Sequence, residues 1–321
     1  MGFGQEQGVA AVAGVRAPVG GHACDRPAGE GGSFLPARLS AIEAATLGVV
    51  EGLTEYLPVS STGHMILAAH WMGLSGLGAG DGRLLRRIAA NPGLSAFEIV
   101  IQLGAILAVM GLYRRRVGQM CLGLIGRDRS GLRLVQMLII GFLPAAVVGV
   151  LFEKPVKEHL FNPAAVSIAL VAGGIAMIVV ERLVQRRCAA PLPSLDDLQL
   201  RHALVIGLAQ CVALWPGVSR SMITIVAGLI IGMDMLAAAE FSFLLALPTL
   251  GGATVYEGIR NWSEITAVAG PAGLLIGLVV SGIVAALAVK VFVKWLTGHG
   301  LWPFGVYRII LGLVVLIILG W

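Results

Sequence analysis

Residues 52–62 (GLTEYLPVSST) and 207–221 (GLAQCVALWPGVSRS) interrupt long apolar stretches in the same way. Each runs Gly-Leu, a small residue, Glu or Gln, a few apolar residues and Pro, and then a hydroxyl cluster that opens another apolar helical segment. Backbone inside a bilayer must pair its own N–H and C=O groups, so a polar, helix-breaking stretch survives there only where it is buried in protein or lines a wet cavity. A break of this kind made twice predicts one site assembled from two halves.

That constraint applies because the chain reads as membrane-embedded. Hydrophobic residues make up 57% of it and charged residues 13%, with a mean hydropathy of +0.88. Soluble domains hold about half apolar and roughly a quarter charged residues. Lys and Arg outnumber acids 23 to 18, but the arginines fall in short stretches between apolar runs, where the positive-inside rule accounts for them. No nucleic-acid partner is expected. Cys24, Cys121, Cys188 and Cys211 show no CxxC spacing, which argues against a disulfide framework or a zinc site. Residues 1–38 are rich in Gly, Ala and Pro without a continuous apolar run, and are expected to be a disordered extension. Residues 39–321 are expected to form a single polytopic membrane domain.

A helix needs about 20 apolar residues to cross the hydrocarbon core. Six runs meet that length: 94–112, 134–152, 164–181, 236–256, 268–290 and 303–320. Segments 40–75 and 202–232 are apolar but broken near their middles, and read as re-entrant pairs of half-helices. The basic loops 113–133 and 182–201 are expected on the cytoplasmic side, with Lys290 and Lys294; the cluster Arg83, Arg86 and Arg87 on the opposite side is the weak point of this topology. A broken pair plus three spans thus occurs twice, over about 40–181 and 202–320. Three crossings reverse the chain, so the expected fold is all-α with an inverted-topology repeat, six full transmembrane helices and two broken re-entrant pairs. Trp71, Trp262, Trp295, Trp302 and Trp321 fall near span ends, as interface residues do.

The residues at the breaks carry the chemistry. Pro58 is read as the stop of the first half-helix, with Ser60, Ser61 and Thr62 supplying hydroxyls at the next start; Pro216, Ser219 and Ser221 repeat the device. Two helix starts facing one cavity would receive a strongly anionic group, phosphate or diphosphate fitting best. Arg220 adds a planar fork for phosphate oxygens, with a structural pairing to Glu51 or Glu55 as the alternative reading. Glu51 and Glu55 are four apart and share a helix face, where a divalent cation, Mg²⁺ or Ca²⁺, would relieve their repulsion and bridge phosphate oxygens. His64, three residues after Ser61, is a candidate base, acid or nucleophile. Glu98 and Glu240 occupy comparable places in the two repeats and read first as framework groups that cap and hydrogen-bond the broken helices, with direct catalysis as the alternative. Gln210 matches Glu55 without its charge, so the carboxylates belong to one half.

The segments EGLTEYLPVSSTGH (51–64) and PGVSRSMIT (216–224), supported by QLGAILAV, AEFSFLLALP and YRIILG, resemble the undecaprenyl-diphosphate phosphatases of the bacitracin-resistance type over about residues 40–320. The resemblance implies hydrolysis of a C55 isoprenoid diphosphate to the monophosphate, which recycles the carrier lipid for cell-wall synthesis. It also implies divalent-cation dependence and a site open to the outer face of the bacterial cytoplasmic membrane. The family's functional positions fall on Glu51, Glu55, Ser61, His64, Ser219, Arg220 and Thr224. Ser61 with His64 as base, His64 itself, or a metal-bound water would each serve as nucleophile. Met222 and Ile223, and the pair Asp234-Met235, depart from the family pattern. The expected partners are the polyprenyl diphosphate lipid and the bilayer, with a homodimer left open. A lipid transporter or flippase is the rival reading, since inverted repeats with broken helices also build transporters.

Overall fold

The computed structural model describes residues 39–72, 74, 92–186 and 195–319, and among them no strand occurs. The N-terminal extension, Arg83, Arg86, Arg87 and Trp321 lie outside the described residues. The helices are α1 (Ala41–Thr54), α2 (Ser61–Trp71), α3 (Pro92–Leu112), α4 (Arg114–Leu124), α5 (Arg129–Leu160), α6 (Pro163–Gln185), α7 (Leu200–Gln210), α8 (Arg220–Ile230), α9 (Met235–Arg260), α10 (Trp262–His299) and α11 (Trp302–Leu319).

Both expected breaks are present, but the first lies earlier than the sequence reading placed it. Helix α1 ends at Thr54, not at Pro58. A proline ring clashes with the carbonyl four residues before it, and for Pro58 that residue is Thr54. The helix therefore closes a full turn upstream, which leaves Glu55 as its C-cap and the stretch 55–60 as irregular backbone. The second break behaves alike: α7 ends at Gln210, a short 3-10 turn follows over Cys211–Leu214, and α8 starts after Ser219.

Among the described residues four helices are long and apolar enough to cross a membrane: α5 over Arg129–Phe152, α6, α9 and α10; a fifth counts if Ala96–Leu112 and Arg114–Leu124 form one span bent by 87°. Helix α11 is apolar but shorter. The stretch 113–133, read as a loop, is instead largely helical: α4 turns sharply away from α3 and folds back along α5. Its interior-facing Gly123 allows this, since a Cβ there would lie 2.8 Å from the Leu132 Cα. Helix α10 changes direction at Gly270, whose φ of 62° precedes Pro271. Large apolar side chains such as Val150 and Ile259 point outward, as lipid-facing residues do.

Helix packing comes in exchanged pairs. The half-helix α1 lies on α10, and the half-helix α7 lies on α5; α6 and α11 pack on each other, as do α3 and α9. The glycines that open both break motifs explain two of these contacts. A Cβ on Gly52 would lie 3.0 Å from the Ala285 nitrogen of α10, and one on Gly207 would lie 2.9 Å from the Gly141 Cα of α5. Small residues let helix backbones approach where lipid gives no hydrophobic drive to associate. The interior between them is aromatic: Tyr56 meets Phe243 edge-on at 5.4 Å, and Phe292 links Phe243 to Phe304. Trp295 is half-buried, stacked on His299 near the end of α10 and edge-on to Phe304, and Trp71, Trp262 and Trp302 are exposed.

Candidate active site

Each half-helix after a break starts from a strained serine. Ser60 has φ 74° and Ser219 φ 71°, the positive-φ non-glycine residues among those described. Left-handed backbone costs a side-chain-bearing residue on the order of 1–3 kcal/mol and clusters at functional sites. Both serines are N-caps: Ser60 Oγ accepts from the Gly63 N–H at 3.4 Å, and Ser219 Oγ from the Met222 N–H at 3.3 Å. The strain bends the chain so that Ser61 and Arg220, the first residues of α2 and α8, come to one buried cluster.

Glu55 joins the two. Its Oε2 accepts from the Ser61 hydroxyl at 2.7 Å, and its Oε1 accepts from Arg220 Nη2 at 3.1 Å. Arg220 Nη1 also donates to the Ser242 carbonyl at 2.8 Å, and its guanidinium lies 5.6 Å from the centre of the Tyr56 ring. The structural pairing raised for Arg220 is thus present. It leaves Nε without a partner, so the fork keeps donors for a ligand. Glu51 is almost wholly buried, within hydrogen-bond reach of Glu55 and in electrostatic range of Glu98. Glu51 Oε1 and Glu98 Oε1 are both buried without a partner.

The expected Ser61–His64 pair is not formed. His64 Nδ1 bonds the Ser60 carbonyl at 2.7 Å and its Nε2 bonds the Tyr307 hydroxyl at 2.6 Å, so the ring turns toward α11. Ser61 and His64 share a helix face, but the Ser61 hydroxyl is taken by Glu55 and both ring nitrogens of His64 are taken by other partners. The hydroxyls expected to touch a ligand mostly brace the frame. Ser221 Oγ donates to the Leu57 carbonyl of the first break at 2.9 Å and meets Ser219 Oγ at 3.0 Å. Thr224 Oγ1 bonds Ser242 Oγ at 2.7 Å and the Arg220 carbonyl at 2.8 Å. Thr62 lies half-buried in the first turn of α2. Gln210 is buried and its amide is within 3.5 Å of the Gly141 carbonyl, away from the charged cluster.

Glu98 and Glu240, expected to act alike, part company. Glu240 accepts from Arg116 Nε at 2.9 Å, beside the Arg116–Asp196 pair, and so anchors α4 rather than a broken helix. Glu98 instead brings a third carboxyl to Glu51. Two residues were missed entirely. Arg308 is fully buried and donates to the carbonyls of Pro58, Ala169 and Gly217, tying both breaks to α6 and α11. Tyr307 is the partner of His64. Both lie in YRIILG, where a charge inside an apolar span was the available signal. The unusual Asp234 has a plain role: its Oδ1 accepts from the N–H groups of Leu236 and Ala237 and caps α9, while Met222 is core.

For the divalent cation that the family resemblance implies, the donor set is lean. Among the described residues no three His, Cys, Asp or Glu side chains gather as a metal cage. The unpartnered Glu51 Oε1 and the free lone pairs of Glu55 still match Mg²⁺, which is commonly held by one or two carboxylates with substrate phosphates and water. Next to the cluster, a cavity of about 670 Å³ runs between α1, α10 and α11. Its walls include Leu53, Leu57, Val284, Val291 and Phe304, with Thr54, His64, Trp295 and Tyr307 contributing polar atoms.

These elements define an all-helical membrane protein whose breaks enclose an acid, hydroxyl and arginine cluster beside an apolar cavity. The chain belongs to the family described as Bacitracin resistance protein BacA, whose model matches residues 44–314. It is 49% identical over 275 residues to the undecaprenyl-diphosphatase of Sorangium cellulosum (strain So ce56), covering 85% of each chain. It is 42% identical over 280 residues to the undecaprenyl-diphosphatase of Sphingopyxis alaskensis, covering 86% of this chain and 96% of that one. Against undecaprenyl-diphosphatase 1 of Stutzerimonas stutzeri the identity is 44% over 276 residues, covering 86% and 93%.

Proposed function

We propose that this chain hydrolyses undecaprenyl diphosphate to undecaprenyl phosphate and inorganic phosphate, which recycles the cell-wall carrier lipid and confers bacitracin resistance. Family membership and the names of its relatives support the reaction. The observation that carries it to this site is the Ser61–Glu55–Arg220 chain, which puts a hydroxyl, a proton acceptor and a cationic fork together where two broken helices meet. A transport protein needs charge complementarity there but no hydroxyl held on a carboxylate.

The residue roles follow from that chain. The isoprenoid lies in the apolar cavity and its diphosphate beside the two breaks. Ser61 attacks the terminal phosphorus as its proton passes to Glu55, whose Oε2 already accepts the hydroxyl hydrogen; undecaprenyl phosphate leaves, and water then cleaves the phosphoserine to release inorganic phosphate and restore the hydroxyl. Arg220 stabilises the charge that builds on the transferring group, and the strained N-caps Ser60 and Ser219, with Thr62, supply oxygens and helix-start N–H groups near it. Ser221 and Thr224 hold Arg220 and the second break in register. A divalent cation, Mg²⁺ or Ca²⁺, would be held by Glu51 and Glu55 and would supply positive charge to phosphate oxygens. The exchanged-pair packing supports an inverted repeat of a broken pair plus three spans. The apolar helices and the family resemblance support 39–321 as one domain in the cytoplasmic membrane with the site opening to its outer side.

The test is release of inorganic phosphate by purified protein from undecaprenyl diphosphate with Mg²⁺ or Ca²⁺. Tight lipid binding with no release would replace the enzyme reading by the transporter one.

A further inference from the structure

The active cluster and the imidazole that the sequence grouped with it are divided between two sides of the first break. Ser61, Glu55 and Arg220 form one side. His64 and Tyr307 form the other and line the apolar cavity. The bonding of His64 fixes how it faces that cavity. A carbonyl only accepts, so the contact from Nδ1 to the Ser60 oxygen places the hydrogen on Nδ1. In the neutral ring Nε2 is then the acceptor, and the Tyr307 hydroxyl donates to it at 2.6 Å. The two rings also run nearly parallel, 9° apart with centres separated by 5.7 Å, so the phenol restrains the imidazole by contact as well as by its hydrogen bond. Tyr307 is itself anchored: the next residue, Arg308, is clamped to the Pro58 and Gly217 carbonyls of the two breaks.

We propose that Tyr307 is the positioning residue for His64, seating the imidazole beside the phosphate nearest the isoprenoid while Ser61, Glu55 and Arg220 meet the terminal phosphate. This rests on the phosphatase reading and gives it a direction. A lipid in the cavity brings its own phosphate toward the breaks first, and the cavity wall beside the first break carries the hydrogen-bonded pair His64 and Tyr307. The bond that breaks joins the terminal phosphorus to the oxygen of that lipid-side phosphate. An imidazole that takes up a proton from solvent at Nε2 donates there, the Tyr307 oxygen turning from donor to acceptor, and the resulting cation beside the lipid-side phosphate stabilises the leaving monophosphate as the terminal phosphoryl moves to its acceptor.

The experiment compares the wild type, Tyr307→Phe, His64→Ala and the double variant on undecaprenyl diphosphate with Mg²⁺. Phenylalanine keeps the ring and the cavity shape and removes one oxygen, and thermal unfolding in detergent checks that each variant is folded. Tyr307→Phe should lower kcat by about tenfold or more with KM within about twofold, the size expected for a group that orients an acid–base residue. The double variant should be no slower than His64→Ala, because the phenol acts through the imidazole. A kcat like wild type, a change confined to KM, or a double variant that shows the product of the two single losses would each overturn the assignment of Tyr307 alone. An inactive wild type would overturn the phosphatase reading, and this inference with it.

Discussion

Arg220 of the second break and Glu55 of the first form an ion pair at 3.1 Å, with side chains only 8% and 6% exposed. Charges this far from water persist when paired and further hydrogen-bonded, and here Ser61 and the Ser242 carbonyl complete the pairing. The pair joins two segments 165 residues apart in sequence, so it works at once as a site and as a strut.

Arg220→Ala should therefore fail in two separable ways. Phosphate release should fall by on the order of 10³-fold, the scale of losing a preorganised charge at a transferring group. Stability should fall by about 3–5 kcal/mol because Glu55 is left buried and unpaired. Adding Glu55→Gln to Arg220→Ala should recover part of the thermal stability and none of the activity. Unfolding in detergent and phosphate release, read on the same preparations, check both, and retained turnover in Arg220→Ala would remove the proposed clamp.

His64→Ala should lower kcat by about 10²-fold if the imidazole serves the leaving phosphate. A change confined to KM would demote it to substrate binding. The same variant frees the Ser60 carbonyl, so a small loss of stability is expected alongside.

How much of this was legible in the sequence depends on the kind of signal each residue leaves. The breaks, the half-helices and the carboxylate pair could be read because Pro, Ser and charge stand out against apolar sequence. Where α1 ends could not be read from Pro58 by position alone; it follows only when the ring's clash with the carbonyl of Thr54 is applied. The partnership of Ser61 was misjudged because spacing along a helix places Ser61 and His64 near each other but says nothing of Glu55, held in the turn before the helix, or of Tyr307, more than 240 residues away. Glu98 and Glu240 looked equivalent, and only the fold shows that one faces Glu51 and the other faces Arg116. Helix α4 read as a loop because its run of three arginines matched a basic connection between spans, and its packing along α5 shows only in the fold.

Chelation should abolish phosphate release, and added Mg²⁺ or Ca²⁺ should restore it. In Glu51→Gln the cation concentration for half-maximal rate should rise by about tenfold or more, since the variant removes the charge from the one carboxylate oxygen of the pair that lacks a partner. Gln is isosteric and leaves packing intact, so unfolding should change little. A cation dependence identical to wild type would take Glu51 out of the binding set.

The strained caps give the cleanest separation of folding from function. Ser219 holds φ at 71° and contributes one weak cap bond, 3.3 Å to the Met222 N–H. Glycine removes the left-handed penalty, about 1–3 kcal/mol. Against that stand the lost cap, a few tenths of a kcal/mol for glycine, and the added freedom of the unfolded chain, about 0.4–1 kcal/mol. Ser219→Gly should thus unfold at the same temperature as the wild type or slightly above it, whereas Ser219→Ala, which keeps the strain and loses the cap, should unfold lower. Both variants lose the hydroxyl that lies 3.0 Å from Ser221 Oγ beside the Arg220 helix start, so both should release phosphate more slowly. A Ser219→Gly protein that is stable and fully active would show that the serine is kept for its backbone alone; one that is stable and slow places its oxygen among the groups that meet the diphosphate.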